Sequence, residues 1–112
     1  LVTGVQTCAL PIYYVLKNHS IDKSIASIYS KITGMGVEYS TDQPGIQFYT
    51  GNMMKESYNG KHDRNYGLQY GMCLETQIFP DAINQPNFPS TILKKGEKYT
   101  SNTKIKLRND FK

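Results

Sequence analysis

The sequence predicts an all-β fold, an antiparallel sheet or sandwich, on three observations. No window sustains apolar residues at helical spacing, whereas apolar–polar alternation, the mark of a half-buried strand, recurs along the chain. Turn-forming residues interrupt it at short intervals, at Gly34 and Gly36, at Asp42-Gln43-Pro44-Gly45 and across 80–89. Nine Tyr and four Phe supply the aromatic content that pleated surfaces favour.

The elements follow in order. Tyr13 to Leu16 is a short apolar-aromatic run, and Ile25 to Tyr29 a second, bounded by Lys31 and the Gly34/Gly36 turn. From Val37 to Thr41, period two puts Val37, Tyr39 and Thr41 on one face and Glu38 and Ser40 on the other. Asp42-Gln43-Pro44-Gly45 is a turn by composition, and Ile46 to Thr50 is the strand that leaves it. Residues 51–69, with three Gly and many polar side chains, read as a long loop. Tyr70 to Phe79 is the next strand. Residues 80–89 contain three Pro and must be irregular. Tyr99 to Leu107 closes the chain, with Lys98, Thr100, Asn102, Lys104 and Lys106 facing one way and Tyr99, Ser101, Thr103, Ile105 and Leu107 the other. The sum is about five to seven strands and essentially no helix.

A chain of 112 residues and 12.7 kDa holds one small domain at most. With 38% apolar and 20% charged residues, its composition is neither that of a disordered chain nor that of a membrane-spanning one. The net charge of +4 comes from scattered basic residues, a poor argument for nucleic acid. Two cysteines, Cys8 and Cys73, make no disulfide framework.

Residues 1–12, LVTGVQTCALPI, carry no charge and lack the basic start of a signal peptide. They resemble translated sequencing-adapter read-through, so the first twelve residues are expected to be non-native and to pack irregularly, with gene-derived sequence resuming near Tyr13.

The stretch 75–90, ETQIFPDAINQPNFPS, is more specific than any spacing. It resembles the C-terminal signature of the aldose 1-epimerases, in which Glu-Thr-Gln ends a strand and Phe-Pro-Asp and Asn-Gln-Pro-Asn-Phe-Pro-Ser follow. Upstream, residues 44–52, PGIQFYTGN, are similar to the family's Pro-Gly-Leu-Gln-Phe-Tyr-Thr-Gly-Asn. The segment Leu93 to Tyr99 is similar to Leu-x-Pro-Gly-Glu-x-Tyr, with Lys95 in place of the Pro. The family's Gly-Tyr-Asp-His-Asn segment precedes a strand like Tyr14-Val15-Leu16, and the position expected for its Asp is Pro11. The resemblance implies that residues 13–112 are the C-terminal part of an aldose 1-epimerase domain, a partial antiparallel β-sandwich truncated at its N-terminus.

It also implies a reaction, the interconversion of α and β anomers of aldohexoses such as galactose and glucose. A base takes the proton from the anomeric hydroxyl while an acid protonates the ring oxygen, and the roles reverse after rotation about C1–C2. A carboxylate of ordinary pKa, about 4.3 for Glu, is ionised as such a base must be. Glu75 sits in an apolar-leaning strand, between Met72-Cys73-Leu74 and Ile78-Phe79, and shares a face with Cys73 and Gln77 by period two. By spacing alone it is as readily a solvent-facing strand residue. By the resemblance it matches the family's catalytic Glu. Gln47, in Ile46-Gln47-Phe48-Tyr49, is by spacing a strand Gln on the wet face, and by the resemblance lines the sugar site.

Asp81, following Pro80, suits a turn held by its own side chain, and Asn84 and Asn87 suit backbone capping in the same loop; Gln77 is grouped with them. His19 and His62 match no family motif, the acid His belonging to an upstream segment, so the chain by itself is expected to be inactive. His62 with Asp63 offers too few ligands for a metal. The resemblance implies no cofactor, a small-molecule aldose as partner, no nucleic acid or membrane, and a cytoplasmic location by default for a sugar-pathway enzyme. Two other readings stay open. A hexose-6-phosphate epimerase relative would need an Arg-lined phosphate site, and Arg64 and Arg108 are the only arginines. A non-catalytic carbohydrate-binding β-sandwich would use its tyrosines as sugar platforms.

Overall fold

The computed structural model describes residues 11–54 and 58–110. Eight short strands carry the described fold: β1 (Ile12–Val15), β2 (Ala26–Tyr29), β3 (Gly36–Thr41), β4 (Gly45–Tyr49), β5 (Tyr58–Asn59), β6 (Asn65–Tyr66), β7 (Cys73–Gln77) and β8 (Thr103–Arg108). The only helical pieces among the described residues are single 3₁₀ turns at Lys61–Asp63 and Ala82–Asn84. The molecule is therefore all-β, as alternation without helical periodicity requires. Most of the first twelve residues lie outside the described ones; of the last two, Pro11 is exposed and Ile12 opens β1.

The strands form three sheets, in the orders β1-β4-β7, β2-β3-β8 and β5-β6. By packing the described residues divide into two units, one of 11–14 with 46–54 and 58–75, the other of 15–45 with 76–110.

In the second unit, β2 and β3 form an antiparallel hairpin in which Ile28 faces Val37 and Ala26 faces Tyr39. Its turn closes where the Gly34 N–H donates to the Ser30 carbonyl at 2.9 Å and the Ser30 N–H to that of Met35 at 2.8 Å. Gly34 has φ of 71°, a left-handed conformation that only a residue without Cβ adopts cheaply. β8 pairs antiparallel with the other edge of β3, with Val37 opposite Leu107, Tyr39 opposite Ile105, Glu38 opposite Lys106 and Ser40 opposite Lys104. One face of this sheet is thus apolar and the other polar, the division expected from the period of two. Glu38 and Arg108 meet at 3.2 Å on the polar side. The apolar side is open at β8, where Ile105 is 55% and Leu107 78% exposed.

β8 starts four residues later than alternation suggested. The Asp42 carboxylate takes the Asn102 N–H at 3.0 Å and its side-chain amide at 2.8 Å, so the ladder begins only at Thr103. β7 likewise starts at Cys73 and not Tyr70. Gln69 stands at φ 61° and the Tyr70 N–H donates to the Gly67 carbonyl, so these residues form a turn. The long loop carries the small β5–β6 hairpin, with Tyr58 opposite Tyr66 and Asn59 opposite Asn65. The Tyr66 ring covers Gly60 so closely that a Cβ there would overlap it.

Full burial is sparse. Ile46 and Ala82 are the buried apolar side chains among the described residues, and Thr41 and Gln43 the buried polar ones.

Candidate functional site

β4 grows out of the bend at Asp42-Gln43-Pro44, whose Pro44 carbonyl accepts the Leu16 N–H at 2.9 Å. Gly45 and Ile46 are buried, and Gln47, Phe48 and Tyr49 follow half-buried. Buried Ile46 sets the inward phase of the strand, so Gln47 projects from the opposite face. Past β4 the chain turns at once. The Tyr49 hydroxyl accepts the Met53 N–H at 3.0 Å, and the Gly51 carbonyl accepts the N–H groups of Met54 at 3.2 Å and Gln69 at 3.3 Å. Asn52 accepts the Thr50 hydroxyl at 2.6 Å and the Gln69 side-chain amide at 3.3 Å. The start of the long loop is thereby bound to the end of the strand that carries Gln47.

β7 is the neighbour of β4 in the β1-β4-β7 sheet. Along it Cys73 and Glu75 are exposed, while Leu74 and Thr76 are half-buried. This alternation assigns Glu75 to the open face together with Cys73, a free thiol. Among the described residues none hydrogen-bonds or ion-pairs the Glu75 carboxylate, which is exposed on β7. Gln47 and Glu75 therefore occupy adjacent strands of one sheet and belong to one packing unit.

The residues after β7 do structural work. Asp81 sits in the left-handed region at φ 58° and opens the 3₁₀ turn Ala82–Asn84. Its carboxylate accepts the Asn84 side-chain amide at 2.5 Å and that of Gln85 at 3.0 Å. The Gln85 bond, then the Asn84 bond, hold the Asp81 carboxyl below the usual carboxylate range. Phe79 and Phe88 close the loop edge to face, centroids 5.0 Å apart. Gln77 is half-buried on β7 and Asn87 is exposed. A shallow hollow of about 180 Å³ lies along this loop, lined by Ala82, Ile83, Pro86, Phe88 and Ile92 among others. It contains neither acid nor base.

The two histidines lie in connecting segments, outside the strands. His19 shares a 3.1 Å hydrogen bond with the Leu16 carbonyl in the turn after β1. His62 occupies the left-handed region at φ 61° in the turn between β5 and β6. Among the described residues no three His, Cys, Asp or Glu side chains gather as a metal site would require. No described helix is long and apolar enough to cross a membrane.

A polar network in the second unit was invisible to periodicity. Thr41 is fully buried; its hydroxyl donates to the Asn102 carbonyl at 3.0 Å and accepts the Gln43 N–H at 3.1 Å. The Tyr99 hydroxyl donates to Gln43 Oε1 at 3.3 Å, and Gln43 Nε2 donates to Asp42 at 3.0 Å. The Asp42 carboxyl is lowered, first by the Asn102 N–H, then by the side chains of Gln43 and Asn102. These partners are separated by up to sixty-one positions in the chain, so only tertiary pairing brings them together.

Comparison with known proteins agrees with the motif order. The family model described as Aldose 1-epimerase matches residues 10–106. Galactose mutarotase of Bos taurus is 42% identical over 94 residues, which is 84% of this chain and 28% of the relative. Galactose mutarotase of Homo sapiens is 41% identical over the same shares. Aldose 1-epimerase of Escherichia coli (strain K12) is 30% identical over 87 residues, 76% of this chain and 25% of the relative. The chain thus spans 28% or less of the length of these three relatives.

Proposed function

The chain belongs to the aldose 1-epimerase family, and from that premise we propose that it carries the base of a mutarotase acting on aldohexoses such as galactose and glucose. Glu75 removes the proton from the anomeric hydroxyl as the ring opens and returns it once rotation about C1–C2 has exposed the other face of the carbonyl. Gln47, on the neighbouring strand, hydrogen-bonds the sugar. The observation that carries this reading is the placement of β4 beside β7, which puts the two motif residues on adjacent strands, with the carboxylate exposed at the middle of β7.

The acid that protonates the ring oxygen comes from outside these residues. His19 is engaged by the Leu16 carbonyl, His62 sits in a left-handed turn, and neither matches a family motif. By itself the 112-residue chain does not turn over.

Polarimetry of freshly dissolved α-glucose tests both statements. The assay compares the chain with a chimera in which it replaces the matched 94-residue stretch of the Bos taurus galactose mutarotase. The chimera is expected to accelerate mutarotation and the chain to leave the buffer rate unchanged. Glu75→Gln in the chimera should cost at least about 100-fold, the usual worth of a positioned proton-transfer group, and Gln47→Ala should raise KM. Full activity with Glu75→Gln would remove Glu75 as the base. Acceleration by the chain alone would show that no outside acid is needed.

A further inference from the structure

The hydroxyls of Thr41, Thr103 and Thr76 stand in a row, Thr41 Oγ1 3.0 Å from Thr103 Oγ1 and Thr103 Oγ1 2.7 Å from Thr76 Oγ1. Each hydroxyl has one proton to give. That of Thr41 goes to the Asn102 carbonyl at 3.0 Å. Thr103 must therefore donate to Thr41, and Thr76, whose neighbour's proton is spent, must donate to Thr103. The row has a single direction, from Thr76 through Thr103 and Thr41 to a backbone carbonyl.

Its far end is anchored by further hydrogen bonds. Thr41 is fully buried, the Asn102 carbonyl also accepts the Asp42 N–H at 3.2 Å, and the Asn102 N–H is held by the Asp42 carboxylate. Its near end is the residue covalently next to Glu75. Strand alternation turns the Thr76 hydroxyl away from the face that carries the Glu75 carboxylate, so the two do not compete for partners. The branched Thr76 side chain has a stiff χ1, so anchoring its hydroxyl also fixes the backbone at the Glu75–Thr76 peptide.

We propose that the directed hydroxyl row Thr76–Thr103–Thr41 holds the backbone that presents Glu75, making Thr103, exposed and distant in sequence, a positioning residue for proton transfer. The proposal rests on the reading of Glu75 as the base. A carboxylate that must meet an anomeric hydroxyl within hydrogen-bond range has little positional latitude, since misplacement by about 1 Å can cost about 100-fold.

The test uses Thr103→Val, which keeps shape and branching but removes the hydroxyl, and Thr103→Ser, which restores it. In the mutarotase chimera, Thr103→Val should lower kcat about tenfold with KM unchanged, a smaller loss than a full 1 Å displacement would bring. Thr103→Ser should recover the rate to within about twofold. Val37→Ala, on the apolar side of β3, serves as a variant that lowers stability while leaving kcat intact. In the 112-residue chain itself, Thr103→Val should accelerate hydrogen exchange at the Glu75 and Thr76 amides, a readout independent of activity. Loss of activity in Glu75→Gln with none in Thr103→Val, Ser behaving like Val, or unchanged exchange at Glu75 and Thr76 each overturns the hydroxyl row alone. Full activity in Glu75→Gln overturns the row's role in catalysis together with the reading beneath it.

Discussion

Replacing Thr41 with Val isolates what the buried hydroxyl contributes to the fold. Val has nearly the same shape, so the cavity contribution that dominates core truncations is small. Three hydrogen bonds are lost, to the Asn102 carbonyl, from the Gln43 N–H and from the Thr103 hydroxyl. They do not count equally. The Asn102 carbonyl keeps the Asp42 N–H, and the exposed Thr103 hydroxyl re-pairs with water. Gln43, only 5% exposed, loses the acceptor of its N–H inside the protein. An orphaned buried donor costs about 1–3 kcal/mol, and a net hydrogen bond contributes about 1 kcal/mol, so the expected loss is about 2–4 kcal/mol. With a urea m value of about 2 kcal/mol/M, the unfolding midpoint should fall by about 1–2 M at unchanged m. The assay is urea unfolding of the chain followed by circular dichroism. Thr41→Ser should retain most of the wild-type midpoint. A shift below about 0.5 M for Thr41→Val, under about 1 kcal/mol at that m value, would refute the claim that the hydroxyl satisfies a buried backbone group.

The Asp42 carboxyl titrates below the ordinary value because the Asn102 N–H, then the Gln43 and Asn102 side chains, favour its charged form. Its stabilising contribution is therefore complete above the unfolded value of about 3.9 and is lost as pH falls through the lower folded-state value. Asp42→Asn should flatten the decline of thermal stability on acidification below about pH 4, measured as Tm against pH; a wild-type slope in the variant would assign the acid sensitivity to other lowered carboxylates such as Asp81 and Asp110. Gly51 stands at φ 71°, with the Gly71 carbonyl oxygen 3.3 Å and the Met54 sulfur 3.4 Å from where a Cβ would lie. Gly51→Ala should cost at least about 1–2 kcal/mol, the penalty of the left-handed region for an L-residue, and an unchanged Tm would contradict that geometry.

Alternation and turn chemistry, read from the sequence alone, placed the six longer strands, the Gly34 turn and the polar and apolar faces of β3 and β8. Each of these depends on residues within one or two positions of one another, because side chains in a strand alternate with a period of two. The proposed roles of Glu75 and Gln47 rest on the motif resemblance, which needs no coordinates. Two-residue strands such as β5 and β6 are too short to express a period, so that hairpin emerged only in the structure. The onset of β7 and β8 depended on a left-handed Gln69 and on the Asp42 carboxylate capturing a backbone group sixty positions away. Which strands become neighbours was also beyond the sequence, because period two reports the face a residue takes and nothing about what lies beside it. Tertiary structure alone placed β4 against β7 and aligned three threonine hydroxyls from distant segments, since a hydrogen bond demands partners within about 3 Å in space and makes no demand on their separation along the chain.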